Sequence, residues 1–387
     1  MMSTRSALGM GLLSLAAATV MTHADNHDTW PIFRGDSALT GVAEGSLTFP
    51  MTSKWEFQAR DEIRGSAVVA DGRVVLGDTS GRIYALDFAT GKSLWTFDTD
   101  DVIEASPLLV EDLVIVGAMN GKCYALSATN GTVQWTYDVD ARIMGSANAS
   151  HGGGMPTRII FGAYDSKLHA LDLAGTPLWT FETEGFINGT PAISDSLAIF
   201  GGCDAKLHAI ALSNGTAVAA VDLGSYVAAS PAVRGDLAYV GHYGGQLFCI
   251  DLAAEQVRWT YGDEEAANPF FASPAITKRH IAVGSRDGKL HCVNAEDGKV
   301  DWTFSTGGDV DSSPVICDGK VVFGSQDGRL YALRLTDGAK LWSYDTGSPI
   351  VASPTVINGT LIIATEEGLV LAFQPESAAS KKEESAL

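Results

Sequence analysis

The sequence is poor in cysteine, has few basic residues and lacks helical periodicity, and each shortage argues against a class of protein. Its five cysteines among 387 residues include no adjacent pair and no pair separated by two residues, which argues against a zinc site. The 26 basic and 46 acidic residues give a net charge of −20, which argues against a nucleic-acid-binding surface. No window places apolar residues at the helical period, so we expect an all-β chain.

The chain does contain a short motif that recurs eight times. Each copy begins with Ser or Thr followed by Pro or Ala, at intervals of 40 to 44 residues. The copies begin at Ser66, Ser106, Ser146, Thr190, Ser230, Ser273, Ser313 and Ser353. A period of about 40–50 residues with several short strands per repeat is typical of a β-propeller.

Each repeat divides into four short apolar runs separated by turn sequences. In the second repeat these runs cover 106–110, 113–116, 122–126 and 133–137. Turn pairs such as Asn120-Gly121 and Asn130-Gly131 separate them, and Asn-Gly is a tight-hairpin signal. We therefore predict blades of four antiparallel strands.

The two ends of the repeat region complement each other. Trp55 lies in a strand-like segment with no earlier strands, whereas the last repeat, 353–373, contains three strands and no fourth. The simplest arrangement is an eight-bladed β-propeller whose ring is closed by the N-terminal strand around Trp55 completing the last blade. Seven blades, with one repeat outside the ring, is the alternative.

The segments outside the repeats have different compositions. Residues 1–24 combine Arg5, an apolar run from Ala7 to Met21 and a small-residue site at Ala24, which is the pattern of a secretory signal peptide. Residues 25–50 form an N-terminal segment, 51–374 the propeller, and 375–387 a polar tail that we expect to be disordered. These features predict a periplasmic or secreted protein with no transmembrane segment after signal cleavage.

The second half of each repeat follows a recurring pattern that resembles a known family. The segment Gly81-x-Ile83-Tyr84-Ala85-Leu86-Asp87-x-x-Thr90-Gly91-x-x-x-Trp95 resembles the repeat of pyrroloquinoline-quinone (PQQ)-type propellers. The resemblance implies that the indole of each repeat packs on the neighbouring blade as a structural docking residue. The tryptophans concerned are Trp55, Trp95, Trp135, Trp179, Trp259, Trp302 and Trp342. Ala219 takes this place in one repeat, which therefore lacks the indole.

The segment Trp30-Pro31-Ile32-Phe33-Arg34-Gly35 also resembles an N-terminal signature of secreted bacterial propellers of this family. One interpretation is a packing strap with Trp30 and Phe33 buried and Arg34 paired. The other is that Arg34 reaches a ligand site.

Strand alternation predicts where a site would lie in such a ring. Residues two positions before each Ser or Thr share its side of the innermost strand and should line the channel mouth, and the residues between them form an apolar row from Ile63 to Ile350. The mouth residues that we single out as candidate cofactor ligands are Arg64, Glu104, Asn188, Phe271 and Asp311. Glu104, Asn188 and Asp311 offer the oxygen ligands that calcium prefers; the alternative is a hydrated channel with Arg–carboxylate pairs.

Outer turns on the same face supply candidates for contact with a partner protein, because Tyr, Met and Arg are enriched at interfaces. These residues are Met119, Tyr164, His242, Tyr243 and Arg286. The alternative is ordinary exposed turn chemistry. His169, His208 and His291 occupy equivalent positions of different repeats, so we interpret them as packing residues with a polar tip, and we predict no metal cluster.

No Ser/His/Asp set, phosphate loop or paired-carboxylate motif stands out, so we predict no catalytic residues. The leading hypothesis is a non-catalytic, monomeric scaffold that binds another envelope or secreted protein. It is similar in fold to the propeller lipoprotein of the outer-membrane barrel-assembly machinery, whose lipid-attached cysteine has no counterpart here. The alternative is a small PQQ- and calcium-binding quinoprotein, related to alcohol or sugar dehydrogenases or acting as a cofactor sensor. A carbohydrate binder would need aromatic residues clustered on one face, and Tyr164, Tyr243 and Phe271 are few.

Overall fold

The computed structural model describes residues 29–150, 155–263 and 268–376, and all regular structure in these ranges is β-strand. Two strands precede the first complete blade: β1 (Val42–Ala43) and β2 (Met51–Gln58). Blade 1 contains β3 (Val68–Ala70), β4 (Arg73–Gly77), β5 (Arg82–Asp87) and β6 (Ser93–Asp98). Blade 2 contains β7 (Leu108–Val110), β8 (Leu113–Gly117), β9 (Lys122–Ser127) and β10 (Val133–Asp138). Blade 3 contains β11 (Asn148–Ser150), β12 (Arg158–Gly162), β13 (Lys167–Leu171) and β14 (Pro177–Glu182).

The remaining blades repeat this pattern. Blade 4 contains β15 (Ala192–Ser194), β16 (Leu197–Gly201), β17 (Lys206–Ala211) and β18 (Ala217–Asp222). Blade 5 contains β19 (Ala232–Arg234), β20 (Leu237–Gly241), β21 (Gln246–Asp251) and β22 (Gln256–Gly262). Blade 6 contains β23 (Ala275–Ile276), β24 (His280–Ser285), β25 (Lys289–Asn294) and β26 (Val300–Ser305). Blade 7 contains β27 (Val315–Cys317), β28 (Lys320–Gly324), β29 (Arg329–Arg334) and β30 (Lys340–Asp345), and blade 8 contains β31 (Thr355–Ile357), β32 (Thr360–Ala364) and β33 (Leu369–Pro375).

Burial along each blade follows from its place between two neighbours. The two middle strands, such as β8 and β9, are buried on both faces, whereas β10 at the perimeter alternates between exposed and half-buried residues. A strand covered on both faces reads as a continuous apolar run, and a strand with one wet face alternates. The apolar sequence runs are therefore the interiors of the blades.

The ring closes as predicted. Strand β2 pairs antiparallel with β33, from Met51 opposite Pro375 to Gln58 opposite Leu369, and completes blade 8. This pairing confirms the eight-bladed propeller and excludes the seven-bladed alternative. The last strand continues through Pro375, one residue beyond the predicted end of the propeller.

The blade tryptophans form a repeated contact between neighbouring blades. In six interfaces the indole Nε1–H donates to a backbone carbonyl of the next blade, at 2.8–3.3 Å. The same indole lies against a turn glycine of that blade, where an added Cβ would come within 2.5–2.7 Å of the ring. Trp342 differs, because it stacks on Phe49 at 5.5 Å and meets Phe373 edge-on.

A second connection between blades surrounds the channel. The Ser or Thr that begins a repeat accepts a hydrogen bond from the backbone N–H of the equivalent residue in the preceding blade, and seven such bonds of 2.7–3.1 Å are present. The bond from Ser353 to Ser66 joins the last blade to the first. The small polar residue at each repeat start therefore satisfies a buried backbone donor of its neighbour.

Residues 29–43 form a strap across one end of the channel. Backbone N–H groups three residues after the repeat start donate to strap carbonyls in six blades; these donors are Val69, Leu109, Ile193, Val233, Ile276 and Ile316. In blade 3 the Asn148 side chain donates instead, to Ser37. Strand β1 continues the strap and pairs parallel with β27.

The signature residues explain how the strap is held. Trp30 is buried and packs over Gly35, whose φ is 90°. Arg34 is fully buried and donates from Nη2 to the carbonyls of Pro274 at 3.2 Å and Pro314 at 2.5 Å. Burial lowers the pKa of Arg34 to about 9, and nearby Asp36 opposes that shift. The signature thus packs the strap into the ring as in the first interpretation, except that Phe33 is half-buried instead of buried.

The predicted signal peptide, and the predicted tail from residue 377 onward, lie outside the described residues. Within the described part of the chain there is no helix with the length and hydropathy needed to cross a bilayer.

Candidate functional site at the channel mouth

The channel is a blind cup that opens on the face opposite the strap. Phe33 of the strap lies at its closed end, and the hydroxyl-bearing residues that begin the repeats line its wall. Its volume is about 200 Å³. All eight residues located two positions before the repeat starts line it: Arg64, Glu104, Met144, Asn188, Ala228, Phe271, Asp311 and Val351. In the six blades whose backbone donates to the strap, the donor residue lies five positions after the mouth residue, a distance of roughly 16 Å along an extended strand.

The mouth row is positioned by the apolar row beside it. Ile103 of blade 2 is fully buried, and a Cβ added to Gly77 of blade 1 would come within 2.5 Å of its side chain. The same contact recurs around the ring, for example between Gly117 and Ile143. Seven of the eight apolar residues fill a notch left by a glycine of the preceding blade, and their neighbours in sequence are thereby held at the channel mouth.

Blades 7, 8, 1 and 2 supply an acidic half of the rim. Arg64 bonds Glu62 at 2.8 Å and Glu104 at 2.9 Å, and the bond to Glu62 raises the pKa of Arg64. Burial, followed by repulsion from Glu62, raises the pKa of Glu366. More carboxylates than arginines meet here, so this half of the rim favours cationic groups.

Asp311 marks the boundary of the acidic half. It accepts hydrogen bonds from Arg286 Nη2 at 2.8 Å and from Gln326 Nε2 at 2.9 Å. The bond to Asp311 raises the pKa of Arg286. The same guanidinium lies 4.1 Å from the centre of the Phe271 ring, so Arg286 joins the acidic half to the aromatic residues beyond it.

Blades 3 to 6 supply an aromatic half of the rim, which we define as Tyr164, Phe186, Tyr226, Tyr243 and Phe271. Tyr164 stacks on Phe186 with ring centres 4.7 Å apart, and Tyr243 meets Phe271 edge-on at 5.5 Å. Phe186, Tyr226 and Tyr243 are exposed, at 47%, 60% and 54% respectively. A large exposed group of aromatic side chains on one face is uncommon on a protein that contacts nothing there.

The predicted partner residues differ in how exposed they are. Tyr243 and Arg286 are exposed on the mouth face, and Met119 and Tyr164 are half-buried there. His242 requires a correction, because it is fully buried and lies edge-on to Phe248 at 4.8 Å. It occupies the first position of its turn, which faces the neighbouring blade, so the hypothesis that it contacts a partner directly is wrong.

Sequence reasoning missed three residues of this face, Arg142, Phe186 and Tyr226. Each directly precedes a member of the apolar row, namely Ile143, Ile187 and Val227 respectively. Arg142 lies 5.7 Å from the centre of the Tyr164 ring. A signal was available, since the position before the apolar row carries a large side chain in these three consecutive blades.

The predicted calcium and quinone ligands do not converge on one point of the mouth. Glu104 and Asp311 lie on blades 2 and 7, and each is bonded to an arginine. Among the residues that the structure describes, no three His, Cys, Asp or Glu side chains could hold a metal ion together. PQQ is a tricarboxylate, and the mouth offers it carboxylates and two arginines that are already engaged.

Cys203 is the one thiol at the rim among the described residues. It is half-buried next to Asn188, whose Nδ2 lies 3.4 Å from its sulfur. Burial raises the pKa of Cys203, which favours the protonated thiol over the reactive thiolate.

Solved structures with this architecture include proteins of different function. BamB from Moraxella catarrhalis has 20% identity and a TM-score of 0.69, and the match covers 84% of this chain and 98% of that one. The computationally designed Ika8 protein has 15% identity, a TM-score of 0.72 and coverages of 83% and 99%. Quinohemoprotein alcohol dehydrogenase from Comamonas testosteroni has 14% identity, a TM-score of 0.76 and coverages of 91% and 83%.

At such identities these likenesses show the fold alone. Among curated proteins, none matches the chain. The family model described as outer membrane protein assembly factor BamB matches residues 51–261 and 263–385, which is most of the sequence. The chain therefore belongs to the BamB family of PQQ-type repeat propellers.

Proposed function

We propose that this protein is a non-catalytic scaffold of the bacterial envelope that binds a segment of another protein at the channel mouth. Membership of a family described by outer-membrane protein assembly supports a partner in that process and a periplasmic, outer-membrane-associated location. The observation that carries the proposal is the aromatic half of the rim, where exposed Phe186, Tyr226 and Tyr243 share one face. Aromatic and arginine side chains dominate the energetics of protein interfaces.

The arrangement of the rings favours a protein over a carbohydrate. Phe186 covers one face of Tyr164, and the Arg142 guanidinium lies over the same tyrosine. Arg286 likewise covers a face of Phe271. A sugar needs an open ring face on which to stack, whereas a peptide can insert apolar side chains between ring edges and pair its polar groups with the arginines.

The two halves of the rim also suggest how a segment would lie. Apolar side chains would contact Phe186 and Tyr226, and basic side chains would reach toward Glu62 and Glu366. Opposite charges at the edge of an interface fix orientation and speed association more than they add affinity. The proposed partner segment is therefore apolar at one end and basic at the other.

Site-specific photocrosslinking tests this proposal. A photoreactive amino acid at Phe186 or Tyr226, introduced in the native host, should give one discrete crosslinked envelope protein. The control is the same residue at Leu94, which is 50% exposed on the perimeter of blade 1. Tyr226→Ala should weaken binding of the purified partner by about 2 kcal/mol if the ring is an interface hot spot. Crosslinks no stronger than those from Leu94 would overturn the proposal.

The quinoprotein hypothesis is retained as the alternative, because alcohol dehydrogenases share the fold. Titration of residues 25–387 with PQQ, with and without calcium, distinguishes the two. Saturable, calcium-dependent binding that is lost in Glu104→Ala and Asp311→Ala would favour the alternative. Absence of binding at tens of micromolar, together with the crosslinks above, is the result expected for the scaffold.

A further inference from the structure

One blade interface lacks both partners of the docking contact. Ala219 of blade 4 occupies the position of the indole, and Glu255 of blade 5 occupies the position of the turn glycine. Glu255 nevertheless keeps the left-handed conformation of that glycine, with φ of 52°. Two departures from the repeat thus meet at the same interface, between blades 4 and 5.

A cleft lies where the indole packs in the other interfaces. It has a volume of about 140 Å³, and Ile199, Ala209, Val218 and Leu252 line it. Ile199 and Ala209 pair with each other, and Ala209 pairs with Ala219. In blade 3 the equivalents Ile160 and Ala170 lie beside Trp179, so the cleft presents the surface that supports an indole elsewhere.

A polar group for an indole N–H is also in place. In the six interfaces with this hydrogen bond, the indole N–H donates to the carbonyl of a residue just beyond the third strand of the next blade. Trp55, for example, donates to Phe88, which directly follows Asp87 at the end of β5. Leu252 occupies this position in blade 5 and lines the cleft. The volume is similar to that of an engineered apolar cavity of about 150 Å³ that binds benzene.

The chain cannot fill this cleft with its own tryptophan. All eight tryptophans of the sequence are accounted for: Trp30 is buried in the strap, and the other seven occupy the fourth-strand positions of their own blades. An indole that filled the cleft would therefore come from another molecule. The charged residues that line the cleft, Asp195 and Asp236, are both acidic, and the chain has a net charge of −20, so a guest with neighbouring positive charge is favoured.

We infer that the cleft between blades 4 and 5 is a docking site for a tryptophan side chain of a partner protein, flanked in that partner by basic residues. Glu255 carries a Cβ where glycine elsewhere leaves room for the ring. The guest ring consequently lies farther out than a resident indole and contacts Val218 and Ala253 at the rim. This site is separate from the channel mouth, so its test does not depend on the function proposed above.

The probe is the peptide acetyl-Lys-(5-fluorotryptophan)-Lys-amide, followed by ¹⁹F NMR against the full chain after removal of residues 1–24. The blocking variant Val218→Lys places a positive charge at the rim of the cleft. Its matched control is Leu94→Lys, because Leu94 and Val218 each directly precede the docking position of their fourth strand and are 50% and 51% exposed, and blade 1 retains its own indole, Trp95. The filling variant is Ala219→Trp with Glu255→Gly, which restores the repeat pattern.

Saturable binding of one peptide per chain is expected for the wild type and for Leu94→Lys. Binding should weaken by at least about tenfold in Val218→Lys and in the filling variant, which corresponds to about 1.4 kcal/mol. The peptide with Glu in place of both Lys residues should bind roughly two- to fivefold more weakly, as exposed charge pairs allow. Absence of saturable binding, or equal binding to the filling variant and the wild type, would overturn the inference. Cooperative unfolding of the filling variant, measured in parallel, shows that lost binding does not reflect lost folding.

Discussion

The contact between indole and glycine can be tested by adding one methyl group at two glycines that differ in their surroundings. Gly72 and Gly131 both have φ of 72°. A Cβ at Gly131 would lie 2.5 Å from Trp95, whereas at Gly72 it would meet no atom within 4 Å. Alanine at either position carries the left-handed penalty of about 1–2 kcal/mol. Only Gly131→Ala must also displace a packed ring, and such overpacking adds about 1–3 kcal/mol.

Urea unfolding of the two variants measures this difference. We expect the free energy of unfolding to fall by about 1–3 kcal/mol more in Gly131→Ala than in Gly72→Ala, with an unchanged denaturant slope. In a Trp95→Ala background the ring is gone, so the added cost of Gly131→Ala should fall to that of Gly72→Ala. Equal losses in the two single variants would refute the reasoning, because the indole would then move aside at no cost and would not hold the blades together.

Three further predictions follow from buried polar groups. Ser230→Ala removes the acceptor of the Thr190 N–H and should lower the free energy of unfolding by about 1–3 kcal/mol. Calorimetry measures this change, and a loss below about 0.5 kcal/mol, the size of an ordinary surface substitution, would contradict the prediction. Arg34→Met leaves the buried carbonyls of Pro274 and Pro314 without this donor and should lower the free energy of unfolding by about 1–3 kcal/mol for each. The guanidinium also favours the charged form of Asp36, whose pKa is raised by burial, so part of the loss should disappear on acidification; a pH-independent loss would argue against that electrostatic contribution. For Asp287, burial acts to raise the pKa, but hydrogen bonds from His291 and Lys289 outweigh it and lower the pKa to about 2. Its stabilising contribution is present above the unfolded pKa of about 3.9 and lost as the pH falls toward 2, so Asp287→Asn should flatten the decline in melting temperature over that interval.

Repetition made most of the fold predictable. A run such as 113–116, taken alone, does not identify its secondary structure. Eight copies of the same pattern, with Asn-Gly or Asp-Gly at the turns, are compatible with little except four-stranded blades. Trp55 then fixed the closure, because it carried a fourth-strand motif with no blade of its own. The strap was not predictable to the same degree, since its carbonyls pair with six blades that are distant in sequence. Only the signature from Trp30 to Gly35 marked it as more than a linker.

The site was predictable where alternation applies and not where the backbone is irregular. Arg64, Glu104 and Asp311 line the channel mouth as expected because they precede short strands by a fixed spacing. Phe186 and Tyr226 lie two residues before this row, in the irregular connections between blades, and only the run of large side chains at this position in blades 3 to 5 indicated them. His242 was misplaced because burial of a turn residue depends on the neighbouring blade, which the repeat pattern does not describe.

Departures from the repeat are concentrated in one sector of the ring. Tyr226, Tyr243, Ala219 and Glu255 all belong to blades 4 and 5 or to the connection between them. A propeller needs the repeated residues for packing, so positions that abandon the pattern without an intramolecular gain are where another requirement acts. Loss of the indole at Ala219 removes a large buried contact and a hydrogen bond that six other interfaces retain. Because the exposed aromatic residues lie in the same sector, the proposed contact with a partner would account for both departures, and blades 4 and 5 are where such a partner should be sought first.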